Sequence, residues 1–215
     1  MDYLPLFHNL KGRNILVIGG GEIALRKVRL VQEASAIITI VAKDFCPDLL
    51  EMAARDKEHG CNGLHLITAG YEHQHMLDIA NIVMVIAATN DRDLNRLVSE
   101  HAQAANILSN VVDDPGFSTV IFPSIVDRSP IQIAISSGGD APVLVRLLRT
   151  KFEALLPAGM SKLGSLAGSF RERVKAKFAN GADRKAFWEG VFYGPIAEQA
   201  YANNLDEAER LLAHK

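Results

Sequence analysis

The chain has 215 residues, 48% hydrophobic and 22% charged, which is the balance of a soluble globular protein of one large or two small domains. Its 23 basic and 25 acidic residues leave a net charge of −2. That excludes a general nucleic-acid binder, while leaving room for a local basic pocket around an acidic small molecule.

The first half alternates short β-rich runs with helical stretches. NILVIG (Asn14–Gly19) is an apolar, β-branched strand that stops at three glycines, and Glu22–Ala34 follows with apolar residues at mostly helical spacing. Ala36–Val41 predicts a second strand, and Pro47 opens a helix running toward Gly60. Leu64–Thr68 and Asn81–Thr89 predict two more strands, Asp91–Asn106 an amphipathic helix, and Ile107–Val112 a fifth strand. Strands alternating with helices imply a parallel sheet covered on both faces.

After Asp113 the texture changes. TVIFPSIV (Thr119–Val126) and IQIAISS (Ile131–Ser137) read as two strands joined through DRSP. Helical patterns then cover Ala141–Leu156, Lys162–Ala179, Arg184–Phe192 and Ile196–Leu212, with a break at Pro157. The fold class is therefore α/β: a Rossmann-like parallel sheet, then a small β segment, then a C-terminal helical domain. The boundary falls near Asp113–Pro115.

The first glycine turn carries the clearest chemistry. Gly19, Gly21 and Ala24 stand in a G-x-G-x-x-A frame between a strand and a helix, the context that this motif requires. Glycines there let the backbone approach a pyrophosphate, and the helix opening at Glu22 and Ile23 presents amide N–H groups and a positive dipole end. At the end of the second strand, Asp44 suits a ribose hydroxyl and thus NAD, whereas Lys43 suits the 2′-phosphate of NADP. Ala88 and Thr89, after the fourth strand, suit close approach of the nicotinamide-side ribose; Thr89 and Asn90 equally fit helix capping.

Other features have both a bland and a functional reading. Asp113 and Asp114 precede Pro-Gly, which is ordinary turn composition, yet they also end the last strand of the sheet. Ser136, Ser137, Gly138 and Gly139 form a second glycine turn before a helix, able to cap that helix or to bind carboxylates. Arg128, Arg146, Arg149 and Lys151 are cations suited to an acidic ligand, or solvated helix-face residues. His59, His65, His73 and His75 lack acidic or cysteine partners at ligand spacing, so no permanent metal site is expected. Cys46 and Cys61, with no C-x-x-C, give neither a zinc signature nor a disulfide framework. MDYLPLFHNLKGRN lacks the pattern of a signal peptide, and no apolar run nears the roughly 18 residues of a membrane span. A cytoplasmic protein without membrane association is the resulting expectation.

Taken together, VIGGGEIALRKVRLV, VIAATNDRDLN, NVVDDPGFSTVIFPSIVDRSPIQIAISSGGDAPVLVRLLR and ANNLDEAERLL resemble the N-terminal module of siroheme synthase, the precorrin-2 dehydrogenase/sirohydrochlorin ferrochelatase family. The similarity runs from LPLF (Leu4–Phe7) to the C-terminal helices, and FPSIVDRSPIQIAISSGG is far more specific than the glycine loop. It implies NAD-dependent oxidation of precorrin-2 to sirohydrochlorin, followed by ferrous iron insertion with loss of two pyrrole protons to give siroheme. It also implies a homodimer, with residues 1–113 as the NAD-binding domain, 114–147 as a dimerisation segment and 148–215 as a helical domain. Asp113 takes the family's general acid/base position, with transient Fe(II) contact there, and Asp114 is left as the turn residue. The resemblance places Ser137 in the tetrapyrrole pocket, and Asn110, Ser136, Gly138 and Arg146 complete the expected substrate set. Asp140 departs from the small hydroxyl residue that many relatives carry, placing a negative charge beside a polycarboxylate site. In bifunctional relatives a uroporphyrinogen-III methyltransferase domain follows; these 215 residues fit a stand-alone enzyme and a part of a longer one equally. Two rivals remain at this level: a dimeric NAD/NADH-sensing module without turnover, and an NAD reductase for a small metabolite.

Overall fold

A computed structural model describes residues 2–215. It divides into two compact units, the first ending at Phe122 and the second running Pro123–Lys215.

The first unit contains β1 (Asn14–Ile18), α1 (Glu22–Glu33), β2 (Ile37–Ala42), α2 (Pro47–Glu58), β3 (Leu64–Thr68), α3 (His73–Leu77), β4 (Ile82–Ala87), α4 (Arg92–Ala104) and β5 (Leu108–Val111). The five strands pair in parallel in the order β3-β2-β1-β4-β5. The chain therefore reverses direction of travel across the sheet between β1 and β4. A crevice at the carboxyl ends of those strands is where such sheets bind ligands.

Strand alternation splits the core into two layers. Ile15, Val17, Ile38, Ile40 and Ile86 pack on the face covered by α1, through Ala24, Leu25, Val28 and Val31. Leu16, Ile18, Val85 and Ala87 point the other way, onto Val98 and Ala102 of α4. Burial on both faces is why these strands read as continuous apolar runs. α3 escapes the sequence pattern because it has five residues and buries only Met76.

The expected strand over 119–126 forms only in part. The N–H groups of Thr119 and Val120 both donate to the Ser109 carbonyl (2.8 and 3.1 Å), and the Asn110 amide donates to the Val120 carbonyl at 2.9 Å. One carbonyl taking both donors is not a ladder, so this segment runs beside β5 as an irregular strap after a single 3-10 turn at Pro115–Phe117.

The second unit opens with the hairpin β6 (Ser124–Arg128) and β7 (Ile131–Ile135), turned at Ser129–Pro130, whose peptide bond is cis. The Asp127 carboxylate accepts from the Ser129 hydroxyl and N–H, both at 2.7 Å. Then follow α5 (Pro142–Leu155), α6 (Gly159–Lys177), α7 (Gly181–Phe192), α8 (Pro195–Tyr201) and α9 (Leu205–Ala213). Their core gathers Leu163, Phe170, Val191, Ile196, Ala200 and Leu212. The expected single helix over 196–212 is broken in two by Asn203, which takes a left-handed φ of +69° that asparagine tolerates. α5 buries no residue, and Val143, Leu144, Leu147 and Leu155 are exposed along it. Among the described residues no helix is long and apolar enough to cross a membrane.

The glycine turn yields a paired prediction. A Cβ on Gly20 would lie 2.1 Å from the Asp44 carbonyl oxygen, whereas one on Gly21 would meet nothing within 4 Å. Gly20→Ala should cost about 1–3 kcal/mol in denaturant unfolding, and Gly21→Ala less than about 0.5 kcal/mol. A pH prediction follows from Tyr71, whose phenol contacts His101 Nδ1 at 3.1 Å and is pushed up to about 12 by burial. The unfolded phenol ionises near pH 10, so this contribution to stability is intact below pH 10 and lost as pH rises toward 12. Thermal melts should show that decline, and Tyr71→Phe should reduce it.

Candidate functional site

Gly19 and Gly20 make the first strand's exit possible. Gly19 has φ +124°, and a Cβ there would stand 2.3 Å from the Ala88 carbonyl oxygen. The surrounding strand ends are tied together by hydrogen bonds: Gly19 N–H to Val41 O (3.0 Å), Ala88 N–H to Ile18 O (2.8 Å), and Cys46 N–H to Gly20 O (2.7 Å). Gly21 then turns outward into open space and caps α1 with no side-chain hydrogen bond. The first intrahelical bond runs from the Leu25 N–H to the Gly21 carbonyl at 3.0 Å, so the N–H groups at Glu22 and Ile23 belong to the helix's unsatisfied first turn. Open space at Gly21 above a helix N-terminus fits a dinucleotide pyrophosphate.

Lys43 and Asp44 follow the end of β2, both exposed, and the Asp44 carbonyl is the group that crowds Gly20. Ala88 is buried, its carbonyl against Gly19. The Thr89 hydroxyl donates to Asn95 Oδ1 (2.7 Å) and accepts from the Asp91 N–H (3.1 Å). Asn95 returns a bond from its amide to the Thr89 carbonyl at 2.9 Å. Thr89 thus shapes the β4–α4 loop, with Asp91 capping α4 by accepting from the Leu94 N–H at 3.0 Å. Nothing in the spacing marked the buried Asn95 as the centre of this network.

The two aspartates after β5 have different surroundings. Asp114 is half-buried, its carboxylate 3.3 Å from Arg92 and its carbonyl accepting from the Ser118 hydroxyl at 3.0 Å. Asp113 has φ +58°, is exposed, and its carboxylate takes part in no hydrogen bond or ion pair among the described residues. The left-handed turn carries it away from the direction of β5. Asn110, one residue before the end of the paired run, is 6% exposed; its amide is used, but its carboxamide oxygen has no donor among the described residues. A buried acceptor without a donor is costly in a protein and points to a ligand or water N–H or O–H partner.

A further group on this face was not foreseen from sequence. Lys27, on α1, places its ammonium 4.5 Å from the centroid of the Phe122 ring. Burial and the adjacent Arg26 hold this lysine below its ordinary range, and Asp113 pulls it back upward. Mid-helix lysines are usually solvated, so the helical pattern alone gave no reason to single it out.

The remaining candidates lie in the second unit. The Ser136 hydroxyl accepts from the Gly138 N–H (3.1 Å) and the Ser137 hydroxyl from the Ala141 N–H (2.9 Å), with Gly138 and Gly139 at positive φ. Each serine keeps its hydroxyl proton free for a further acceptor. Arg128 and Arg149 donate to the Leu156 and Ile125 carbonyls at 3.1 and 3.0 Å, so both are structural ties as well as cations. Arg146 is exposed, and neither it nor Asp140 enters an ion pair among the described residues. In the first unit, His73 stacks on His101 at 4.1 Å, while the His75 ring accepts from the Glu72 N–H at the start of α3.

Comparison with known proteins bears on these features in three ways. Residues 128–155 match the model described as "Sirohaem biosynthesis protein central", and residues 159–215 that of the "Sirohaem synthase dimerisation region". The siroheme synthases of Stutzerimonas stutzeri and Pseudomonas entomophila are 53% and 50% identical over 215 and 212 residues, covering 100% and 99% of this chain. The chain spans 44% of the length of each. A solved structure titled SirC, precorrin-2 dehydrogenase, shares the fold, with a TM-score of 0.72, 19% identity, and coverage of 99% of this chain and 100% of its own. The glycine cradle lies within residues 6–124, which match the model described as "Putative NAD(P)-binding" over more than half the chain, and the chain belongs to that family.

Proposed function

We propose that the chain uses NAD to oxidise precorrin-2 to sirohydrochlorin and then assists insertion of ferrous iron to give siroheme. The observation that carries this reading is Asp113: an unpaired carboxylate at the carboxyl end of the sheet that holds the glycine cradle, while its neighbour Asp114 is tied to Arg92. The similarity to siroheme synthases at about half identity supports the substrate class.

Bound NAD supplies the hydride acceptor. The protein's part is to hold the cofactor and move protons. Gly21 admits the pyrophosphate, Glu22 and Ile23 offer backbone N–H groups, and Ala88 keeps the β4 end free of bulk. Asp44 is our choice for the ribose hydroxyls, favouring NAD, with Lys43 as the residue that would accept a 2′-phosphate instead. Thr89 contributes by fixing the loop that carries Ala88. Loss of a hydride from precorrin-2 leaves one proton to be released, and the Asp113 carboxylate accepts it. In the second step the substrate is Fe(II), which displaces two pyrrole protons; Asp113, having released its first proton to solvent, takes up one of them and contacts the iron transiently, and the other passes to water. A lone carboxylate suits this better than a histidine or cysteine cage, which would compete with the macrocycle for the metal.

Asn110 offers its carboxamide oxygen to a substrate N–H. Ser136, Ser137, Gly138 and Arg146 are assigned to the substrate carboxylates, through hydroxyl protons, backbone N–H groups and a free guanidinium. We assign homodimerisation to the second unit, supported by the dimerisation-region match and the exposed apolar residues of α5.

The test is incubation with precorrin-2 and NAD, followed by Fe(II), while recording the absorbance spectrum. NADH should appear with sirohydrochlorin, and siroheme formation should exceed the protein-free rate. NAD binding without any turnover would leave a sensor rather than an enzyme. Asp113→Ala should lower kcat at least 100-fold while NAD affinity changes less than about threefold, and Asp114→Ala should leave kcat within about threefold. Gly21→Ala should keep its fold and weaken NAD binding at least tenfold, measured by titration calorimetry.

A further inference from the structure

Asn95 stands where the pattern of α4 calls for an apolar residue. The buried face of that helix runs Asn95, Val98, Ser99 and Ala102, and Asn95 is 4% exposed. Asparagine is a poor helix former, and a buried carboxamide is costly unless its groups are bonded. Here they are, and all to one residue. Asn95 Oδ1 accepts from the Thr89 N–H at 3.1 Å and from the Thr89 hydroxyl at 2.7 Å, while its amide donates to the Thr89 carbonyl at 2.9 Å. The carboxamide thus meets both backbone groups of Thr89, as a residue on an adjacent antiparallel strand would.

The place of Thr89 makes that pairing matter for the glycine turn. Ala88, just before it, donates its N–H to the Ile18 carbonyl and points its own carbonyl at Gly19. A Cβ on Gly19 would also stand 3.3 Å from the Thr89 nitrogen, so the β4–α4 loop borders the turn directly. In the strand order, β2 and β4 flank β1 on opposite sides. With the pyrophosphate at Gly21 and one ribose at the end of β2, the other half of a dinucleotide lies over the end of β4.

We propose that Asn95 is a positioning residue for the cofactor: by pairing with the Thr89 backbone it holds the β4–α4 loop in the shape that receives the nicotinamide half of NAD. This rests on the glycine turn being the dinucleotide site. The Thr89 hydroxyl is already committed within the loop, to Asn95 and to the Asp91 N–H, so the loop's contribution is its shape. Asn95 lies behind that surface and acts through it.

The experiment titrates the full chain calorimetrically with NAD and, separately, with ADP, which fills the adenosine and pyrophosphate positions but stops short of β4. Asn95→Ala removes the whole pairing and should weaken NAD binding at least about fivefold, while ADP binding stays within about twofold. Asn95→Asp keeps an acceptor for the Thr89 N–H but sets an oxygen against the Thr89 carbonyl. It should weaken NAD at least about threefold, again sparing ADP. A residue that only supported the fold would move both ligands together or neither, and either pattern overturns the proposal. Should Asn95→Ala fail to fold, Asn95→Asp and Asn95→Ser are judged by the same criterion. Hydrogen exchange on the wild type tests the pairing without any substitution. The Thr89 N–H should exchange at least about 100-fold more slowly than an unstructured amide, and exchange at the unstructured rate overturns the proposal. If the wild type binds neither NAD nor ADP, the reading of the glycine turn as the cofactor site falls, and the role of Asn95 with it. If it binds both and the Asn95 variants do not separate them, only the role of Asn95 falls.

Discussion

Three strand ends meet so closely at Gly19–Gly20 that there is no space for a single side-chain carbon. The Ala88 carbonyl presses on one glycine and the Asp44 carbonyl on the other, at distances where any Cβ would overlap backbone oxygen. This contact sets the positions of the β1, β2 and β4 ends and aims the first turn of α1. The next residue, Gly21, faces open space, so the same turn is closed on its protein side and open on its ligand side. The glycines therefore divide the work: two satisfy the fold and one leaves room for the cofactor.

The charges at the end of β5 are arranged by a similar division. Asp114 is used up by Arg92 and by the strap that follows the 3-10 turn, which leaves it little chemical freedom. Asp113 is turned out of that arrangement by a positive φ, which aspartate accepts at modest cost. An exposed carboxylate is easily misoriented, and exposed ion pairs are individually weak. Ser109 and Asn110 of the same strand hold the backbone of Thr119 and Val120, so the irregular strap is tied directly to β5.

Most of the architecture could be read from local pattern. β1, β2 and β4 are largely apolar runs because both of their faces are covered, and α1 and α4 repeat their buried positions at helical spacing. The readings that failed are those where a side chain outside the pattern intervened. The strand expected from Thr119 is replaced by a strap because Asn110 and Ser109 capture its backbone groups. The helix expected to run through residue 203 stops at an asparagine in the left-handed region, a position that hydrophobic periodicity does not register. Among the candidate site residues, Gly19 and Gly21 were marked by motif and position, and Asp113 by the family that its stretch resembles. Gly20 and Asn95 were not, since their importance lies in what they touch across the fold.

The sequence by itself determined that a nucleotide-type glycine turn opens a parallel α/β unit, that a different β-and-helix texture follows, and which family the segments resemble. Those properties are local: they depend on spacing, turn chemistry and the period of apolar residues along the chain. Only the tertiary structure decided which glycine is crowded and which is open, and which aspartate is paired and which is free. These depend on distances between groups far apart in sequence, fixed when side chains pack on the two faces of one sheet.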